Sequence, residues 1–185
     1  MRLFVAVNFS DEIKAKILMI QDQLRSQTIK GNFTRPENLH LTLAFLGETG
    51  PEPVGNPASR LCEIMDGMGI VPFNVSFNRT GCFTHSRKEL WWIGAEPTCP
   101  GLPLLKAIHD QLVHGFKEDG FCVSLSPFNA HITLGREIKH AAPIVLNSPD
   151  IVVRVDRISL MKSEHIGGIL TYTELIQKKL EGRVS

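Results

Sequence analysis

Residues 38–47 read NLHLTLAFLG, and a shortened form of this stretch, NAHITLGR, returns at residues 129–136. Each segment combines large apolar residues with a histidine and a threonine two positions apart, and each has a glycine after its apolar run. This pattern predicts two β-strands. Because side chains alternate between the faces of a strand, each strand would bury one apolar row and turn its histidine and threonine to the other face.

Alternation places His40 and Thr42 together on one face, and His131 and Thr133 together on another. The apolar rows opposite them are Leu39, Leu41, Leu43 and Phe45 in the first strand and Ile132 and Leu134 in the second. The two histidines lie about half a chain length apart, which predicts two similar lobes with one His-x-Thr each. Either motif alone fits a strand whose polar face happens to hold histidine. The pair, with matching flanks, favours one shared site.

The bulk composition is that of an ordinary globular protein, with 43% hydrophobic and 21% charged residues among 185. This length allows one compact domain, or two lobes that share a core. The 20 Lys and Arg against 19 Asp and Glu leave a net charge of +1. Such a balance argues against broad electrostatic coating of nucleic acid, but it allows a site that holds one or two phosphates.

The cysteines are scattered without a Cys-x-x-Cys pair, so they indicate neither a zinc site nor a thioredoxin-like motif. They are Cys62, Cys82, Cys99 and Cys122. The apolar N-terminal run is too short for a signal peptide, and no stretch approaches the roughly 20 apolar residues of a membrane span. We therefore expect a soluble, cytoplasmic protein with reduced thiols and no membrane partner. No obligate protein partner is indicated, and we expect a monomer.

The remaining chain alternates between strand and helix patterns. Strands are predicted over 2–8, 73–77, 90–95, 151–161 and 170–178, with the second and third forming a hairpin. Helices are predicted over 11–27, 58–68 and 102–116, and the last is assigned to the second lobe. Strands interleaved with about three helices predict an α+β protein with mostly antiparallel sheets.

Two further pairs of residues have an expected position. Trp91 and Trp92 are adjacent and point to opposite faces, so one belongs to the core. The other either stacks against a base or is a partly exposed structural indole. His109 and His114 are five residues apart, which is not the spacing of helical metal ligands, and we assign both to the helix surface.

Two histidines in one cleft suit general acid–base catalysis, because imidazole titrates near neutral pH. Threonine hydroxyls beside them can donate hydrogen bonds to the non-bridging oxygens of a phosphate. No cluster of carboxylates lies near the histidines in sequence, so neither a metal nor another cofactor is indicated. The set matches metal-free opening of a phosphodiester whose leaving group is a sugar hydroxyl. A 2′,3′-cyclic phosphate is the natural substrate, because its five-membered ring is strained.

These residues resemble the paired signatures of the 2H phosphoesterase superfamily, and within it the RNA 2′,3′-cyclic phosphodiesterase family, also called 2′-5′ RNA ligase. The resemblance covers nearly the whole chain, through residues 2–6, 38–47, 127–128, 136 and 172–175. Ala130 departs from it, since many relatives have proline there. So does the segment 167–171, where relatives are more basic.

The resemblance implies an α+β fold of two pseudo-twofold-related lobes, each an antiparallel sheet backed by helices, around a central cleft (the LigT-like fold). The whole chain, 1–185, would be one such two-lobed domain. His40 and His131 would be the acid–base pair, and Thr42 and Thr133 would hold the phosphate. Which histidine is the base stays open. By the family's usual account the product is a 2′-phosphate, with His131 activating water and His40 protonating the leaving 3′ oxygen.

Arg136 is a possible auxiliary residue. If alternation continues beyond Leu134 it lies on the face opposite Thr133, although Gly135 can shift it. A phosphate contact and a structural salt bridge are both open. The expected partners are RNA ends or nucleotides that carry a 2′,3′-cyclic phosphate. The alternatives are reversible 2′-5′ RNA ligation by the same residues, hydrolysis of other cyclic phosphates, and a non-catalytic binder of RNA ends or nucleotides.

Overall fold

The computed structural model describes residues 2–48, 55–86 and 88–182. These ranges contain nine strands and three α-helices, with a short 3-10 turn before the third strand. In chain order they are β1 (Arg2–Asn8), α1 (Asp11–Ser26), β2 (Lys30–Phe33), β3 (His40–Glu48), α2 (Pro57–Met68), β4 (Phe73–His85), β5 (Lys88–Ala95), α3 (Leu102–Glu118), β6 (His131–Lys139), β7 (Ile151–Val155), β8 (Arg157–Ile166) and β9 (Ile169–Lys179).

The described strands form an antiparallel sheet in the order β7-β4-β5-β6-β3-β1-β8-β9, with β2 paired to β6. Strands β3 and β6, which carry the two His-x-Thr motifs, are neighbours in its middle. A single residue pair, Leu41 with Ile132, joins them. The sheet therefore consists of two halves, each with four principal strands, and the halves meet where β3 lies beside β6. This arrangement confirms the predicted α+β class.

The helices cover the two halves unequally. Helix α1 lies against β6 and β7, whereas α2 and α3 lie against each other and against strands β3, β8 and β9. Our assignment of α3 to the second lobe is therefore wrong, because this helix packs on the half that carries the first motif. Chain order did not indicate this, since the chain crosses from one half to the other before α3 begins.

The predicted strand over 151–161 is in fact two strands in different halves of the sheet. Strand β7 pairs with β4 as far as Val155, and β8 pairs with β1 and β9 from Arg157 onward. Only Asp156 separates them, and its carboxylate accepts a hydrogen bond from Arg157 Nε at 2.8 Å. The apolar alternation continues through this junction, so sequence alone did not reveal the change of partner.

A β-bulge interrupts β3 immediately after the first motif. Ala6 of β1 is opposite Thr42, whereas the preceding residue, Val5, is opposite Ala44. Leu43 is thus the extra residue of the bulge, which reverses the facing of the side chains that follow it, as far as a second register shift between Phe45 and Gly47.

A matching bulge interrupts β6 after the second motif. Trp92 of β5 is opposite Thr133, and Trp91 is opposite Gly135, so Leu134 is the extra residue. Leu43 and Leu134 occupy the same position relative to their histidines. The two halves therefore repeat the same local backbone distortion.

The bulges correct two predicted orientations. Phe45 does not belong to the buried row with Leu43, since it is 48% exposed and lines the same cavity as Thr42. Ala44 and Leu46 are the buried residues beyond the bulge. Arg136, the counterpart of Phe45 in β6, is likewise placed on the same face as Thr133 instead of the opposite one.

Within the described ranges, no helix combines the length and apolar character needed to cross a membrane.

Candidate active site

The register of β3 and β6 brings each histidine next to the threonine of the other strand. In an antiparallel pair centred on Leu41 and Ile132, His40 comes opposite Thr133, and Thr42 comes opposite His131. Side chains at such opposed positions are close neighbours on one face. The four predicted site residues therefore converge where the two halves of the sheet meet.

Two cavities open on this face, one on each side of the junction. The first, of about 220 Å³, is lined by His40 and Thr133, and the second, of about 320 Å³, by His131 and Thr42. The first also contains Arg35 and Arg136, with Phe33, Leu170 and Tyr172. The walls of the second are mainly aromatic: Phe45, Phe83, Phe128 and His109, with the hydroxyls of Ser124 and Ser126. One side of the cleft is thus cationic and the other aromatic.

A larger groove of about 670 Å³ lies between the start of α1 and strand β7. It contains none of the predicted site residues, so its size does not make it the candidate site.

Both histidines are held in the same tautomer. The Nδ1 atom of His40 lies 2.7 Å from the carbonyl oxygen of Asn38, and that of His131 lies 2.7 Å from the carbonyl oxygen of Asn129. Since a carbonyl can only accept, Nδ1 carries the proton in each ring. The Nε2 atom of each neutral ring is left as the basic nitrogen. In His40 this atom is 2.8 Å from the Thr42 hydroxyl, which donates to it.

Aromatic rings surround His40. Its ring centroid lies 5.0 Å from that of Phe4 and 5.2 Å from that of Tyr172, with the tyrosine ring edge-on. Burial among these rings disfavours the charged imidazolium and lowers the pKa of His40 from 6.5 to about 4, although the Asn38 carbonyl opposes this shift. The nearby positive charge of Arg136 lowers the pKa further. The ring is therefore neutral at pH 7 while the site is empty.

His131 has a similar environment. Burial lowers its pKa, and the charge of Arg136 acts in the same direction, against the hydrogen bond to Asn129. The ring of Phe83 stands edge-on to it at a centroid distance of 5.3 Å. A negative charge bound beside the two histidines would favour their protonated forms.

Phe83 is held against His131 by the indole of Trp92, whose ring centroid lies 5.2 Å away. A Cβ atom at Gly81 or at Gly94 would come within 2.6 Å of that indole, so these two glycines provide the flat surface on which it lies. Trp91 points to the opposite face and packs against the core, as one of the two tryptophans was predicted to do. Phe83 lines the cavity beside His131, whereas Trp92 does not.

Arg136 reaches the cavity beside His40. In the ranges that the structure describes, no carboxylate lies within ion-pair distance of its guanidinium, whereas Arg35 is paired with Glu37 at 3.4 Å. A structural salt bridge, one of the two open interpretations of Arg136, is therefore not observed in this part of the chain.

Of the two histidines assigned to the helix surface, only one lies there. His114 is exposed and pairs with Glu118 at 3.4 Å. His109 is half-buried and lines the cavity beside His131, so its assignment was wrong. Its position four residues after Leu105, at the border of the buried stripe of α3, is the signal that would have found it.

Phe83 and Tyr172 were not predicted as site residues either. Each belongs to a strand whose sequence pattern resembles that of any half-buried strand. Their place in the cleft follows from strand order, which places β4 and β9 on either side of the motif strands.

No group of three or more His, Cys, Asp or Glu side chains among the described residues has an arrangement that could hold a metal ion.

Comparison with known proteins identifies several relatives. A family model described as LigT-like phosphoesterase matches residues 7–92, which include the first motif. Over 148 residues the chain is 35% identical to the RNA 2′,3′-cyclic phosphodiesterase of Archaeoglobus fulgidus, covering 78% of this chain and 77% of that relative.

Solved structures share the fold over nearly the full length. A protein of Thermus thermophilus superimposes with a TM-score of 0.80 at 26% identity, covering 99% of this chain and 100% of that one. The Escherichia coli protein LigT, solved in complex with 3′-AMP, superimposes with a TM-score of 0.74 at 25% identity, covering 97% of this chain and 96% of that one.

Proposed function

The chain belongs to the LigT-like phosphoesterase family of 2H phosphoesterases, and from this membership and the geometry of the cleft we propose that it hydrolyses RNA or nucleotide 2′,3′-cyclic phosphates to 2′-phosphomonoesters. The relative from Archaeoglobus fulgidus is named as an RNA 2′,3′-cyclic phosphodiesterase. Hydrolysis requires an acid, a base and donors to the phosphate, all without a resident cofactor. The proposal assigns these roles to His40, His131, Thr42 and Thr133.

The observation that carries the proposal is the pairing of each histidine with the threonine of the other strand. A phosphorus atom placed between the two pairs has an Nε2 atom on either side, which suits in-line displacement. The threonine hydroxyls can then donate to its non-bridging oxygens. The guanidinium of Arg136, which has no ion-pair partner among the described residues, adds a charge-assisted donor on the same face.

The proton inventory balances over one turnover. The neutral histidine takes a proton from the attacking water at Nε2 while the new P–O bond forms. The protonated histidine gives its Nε2 proton to the ribose 3′ oxygen as the old P–O bond breaks. After the reaction, each ring has the protonation state that the other ring had before it. Proton exchange with solvent then restores the initial protonation state of both histidines. Substrate binding supplies the needed imidazolium, because the anionic phosphodiester raises the pKa of the histidine beside it.

The two cavities suit different parts of such a substrate. The cavity beside His131 has the volume of a small-molecule site and aromatic walls, which suit a nucleobase. The cavity beside His40 contains two arginines, which suit phosphate oxygens. We therefore assign the base of the terminal nucleotide to the cavity beside His131 and phosphate oxygens to the cavity beside His40.

The chain would act as one two-lobed domain, 1–185, with one His-x-Thr from each lobe. The matching bulges and the single Leu41–Ile132 junction support this division. The cytoplasmic location and the monomeric state stay predictions from the sequence.

The test is hydrolysis of a nucleoside 2′,3′-cyclic phosphate by the wild-type chain in the presence of EDTA, with the product isomer identified by 31P NMR. We expect turnover and a 2′-phosphate. A requirement for added metal would contradict the mechanism. A folded protein that binds the nucleotide without turnover would support the non-catalytic binding alternative, and formation of 2′-5′-joined RNA from suitable ends would reveal the ligase activity.

The pH dependence provides a second prediction. In the free enzyme both histidines have a pKa below 6.5, and activity needs one protonated and one neutral ring. The profile of kcat/KM, which reports on the free enzyme, should therefore peak below pH 6.5 and fall as the pH rises. The profile of kcat should peak at a higher pH, since the bound anion raises the pKa values of both histidines. An optimum of kcat/KM above pH 7 would contradict the neutral state of the empty site.

Replacing Phe83 by leucine keeps an apolar side chain beside His131 but removes the aromatic face. Because a base–aromatic stack contributes roughly 1–3 kcal/mol, we expect kcat/KM for a nucleoside cyclic phosphate to fall roughly tenfold. Turnover of glycerol 1,2-cyclic phosphate, which has no base, should not change and serves as the control. An equal loss with both substrates would show that Phe83 supports His131 and does not stack on the nucleobase.

A further inference from the structure

From helix α3, His109 contacts the first motif strand, β3, and the segment that leads into the second, β6, although the proposed chemistry assigns it no role. Its Nδ1 atom donates to the carbonyl oxygen of Leu43 at 2.6 Å. Its ring stacks on that of Phe128, with a centroid distance of 4.6 Å and an angle of 22° between the planes. The side chain is half-buried in the wall of the cavity that contains His131 and Thr42.

The first contact lies at the bulge of β3. Leu43 is the extra residue there, and bulged residues leave the regular ladder of backbone hydrogen bonds. Its carbonyl oxygen accepts a hydrogen bond from the imidazole, which is a donor from outside the sheet. This bond fixes the backbone next to Thr42, whose hydroxyl donates to His40.

The matching bulge in the other half has the same kind of support. The carbonyl oxygen of Leu134 accepts a hydrogen bond of 2.8 Å from the buried side chain of Gln21, which comes from helix α1. In each half, a polar side chain from the backing helix thus donates to the carbonyl of the bulged residue. The Leu43 contact of His109 is in this respect the counterpart of the Gln21 contact and not an isolated packing feature.

The second contact reaches His131. Phe128 lies in residues 121–130, which form neither helix nor strand and lead into β6. The next residue, Asn129, provides the carbonyl that accepts from His131 Nδ1 and so sets its tautomer. A ring stacked on Phe128 restrains the segment that contains this carbonyl.

We propose that His109 is a positioning residue of this site. Its hydrogen bond holds the bulge beside Thr42, and its stack holds the segment that orients His131. The effect on turnover rests on the proposed hydrolysis, whereas the effect on the tautomer of His131 does not. His109 takes no proton from the substrate.

Three substitutions separate the two contacts. In H109N the amide nitrogen takes the place of Nδ1, so the donor is kept and the stacked ring is lost. H109F keeps the stack and loses the donor, and H109A loses both. H114A, on the exposed side of the same helix, is the matched control. Thermal unfolding of each variant identifies any that fails to fold. Only the folded variants are then used to test the proposal.

Because small displacements of catalytic groups can cost about 100-fold, we expect H109A to lower kcat by roughly 10- to 100-fold with KM little changed. H109N and H109F should each recover part of that loss, and H114A should resemble the wild type. A folded H109A variant with the kcat of the wild type would overturn the proposal. Folded H109N and H109F variants that both have the kcat of the wild type would also overturn it.

The tautomer of His131, read from its 15N chemical shifts, is the second measurement. We expect the Nδ1–H form in the wild type and in H109F, and a mixture of tautomers in H109N and H109A. A mere loss of stability would not produce this order among folded variants. If the wild type hydrolyses no cyclic phosphate, the proposed function fails, and the tautomers still decide whether His109 positions His131. An unchanged tautomer in every folded variant would overturn that part.

Discussion

Replacing either His40 or His131 by alanine is expected to lower kcat/KM for a nucleoside 2′,3′-cyclic phosphate by roughly 10²- to 10⁴-fold, the usual contribution of a general acid or base. Each neutral ring has Nε2 as its basic nitrogen, because its Nδ1 atom donates to a backbone carbonyl. Initial rates with EDTA present measure the effect.

The double variant H40A/H131A should be little worse than the weaker single variant, because an acid and a base that act in the same step contribute as a unit. H114A is the control on an exposed surface. His40 packs against Phe4 and Tyr172, so H40Q, which keeps a polar side chain there, shows whether a loss of activity comes from lost packing. Substantial activity in either folded alanine variant would exclude the two-histidine mechanism.

Replacing Arg136 by methionine should have the next largest effect, a fall in kcat/KM of roughly 100-fold, comparable to the loss of one charged donor to a transition state. The substitution keeps the length of the side chain and removes its charge. That charge lowers the pKa of both histidines, so its removal raises both values. The optimum of kcat/KM should accordingly move to higher pH.

The conservative variant R136K tests the geometry separately from the charge. Lysine keeps the positive charge but cannot form the two parallel hydrogen bonds of a guanidinium, so an intermediate activity is expected. Its pH optimum should stay near that of the wild type. R154M, on strand β7 at the edge of the sheet, is the matched control. An R136M optimum that moved to lower pH would contradict the electrostatic role of Arg136.

Much of the site was predictable because it depends on local periodicity. Alternation along a strand is a property of the backbone, so His40 and Thr42 share a face wherever that strand pairs. The repeat at half-length likewise predicted two matching halves without knowledge of their contacts. Within each motif, both the predicted apolar neighbours and the predicted polar face are observed.

Local periodicity stops predicting at the bulges. The extra residues, Leu43 and Leu134, exist only in relation to the partner strands β1 and β5, and no single-strand pattern contains that register. The strand face that simple alternation predicts for Phe45 and Arg136 is therefore the wrong one. The same dependence on partners hid the division of the last long strand at Asp156.

The sequence by itself determined which residues carry the proposed chemistry: two histidines, two threonines and the strands that present them. Only the tertiary structure decided the environment of that chemistry. The Phe4 and Tyr172 rings, whose packing buries His40 and lowers its pKa, and the His109 side chain that bonds the bulge beside Thr42, come from distant parts of the chain. Desolvation and packing are properties of assembled neighbours, whereas alternation is a property of the strand alone.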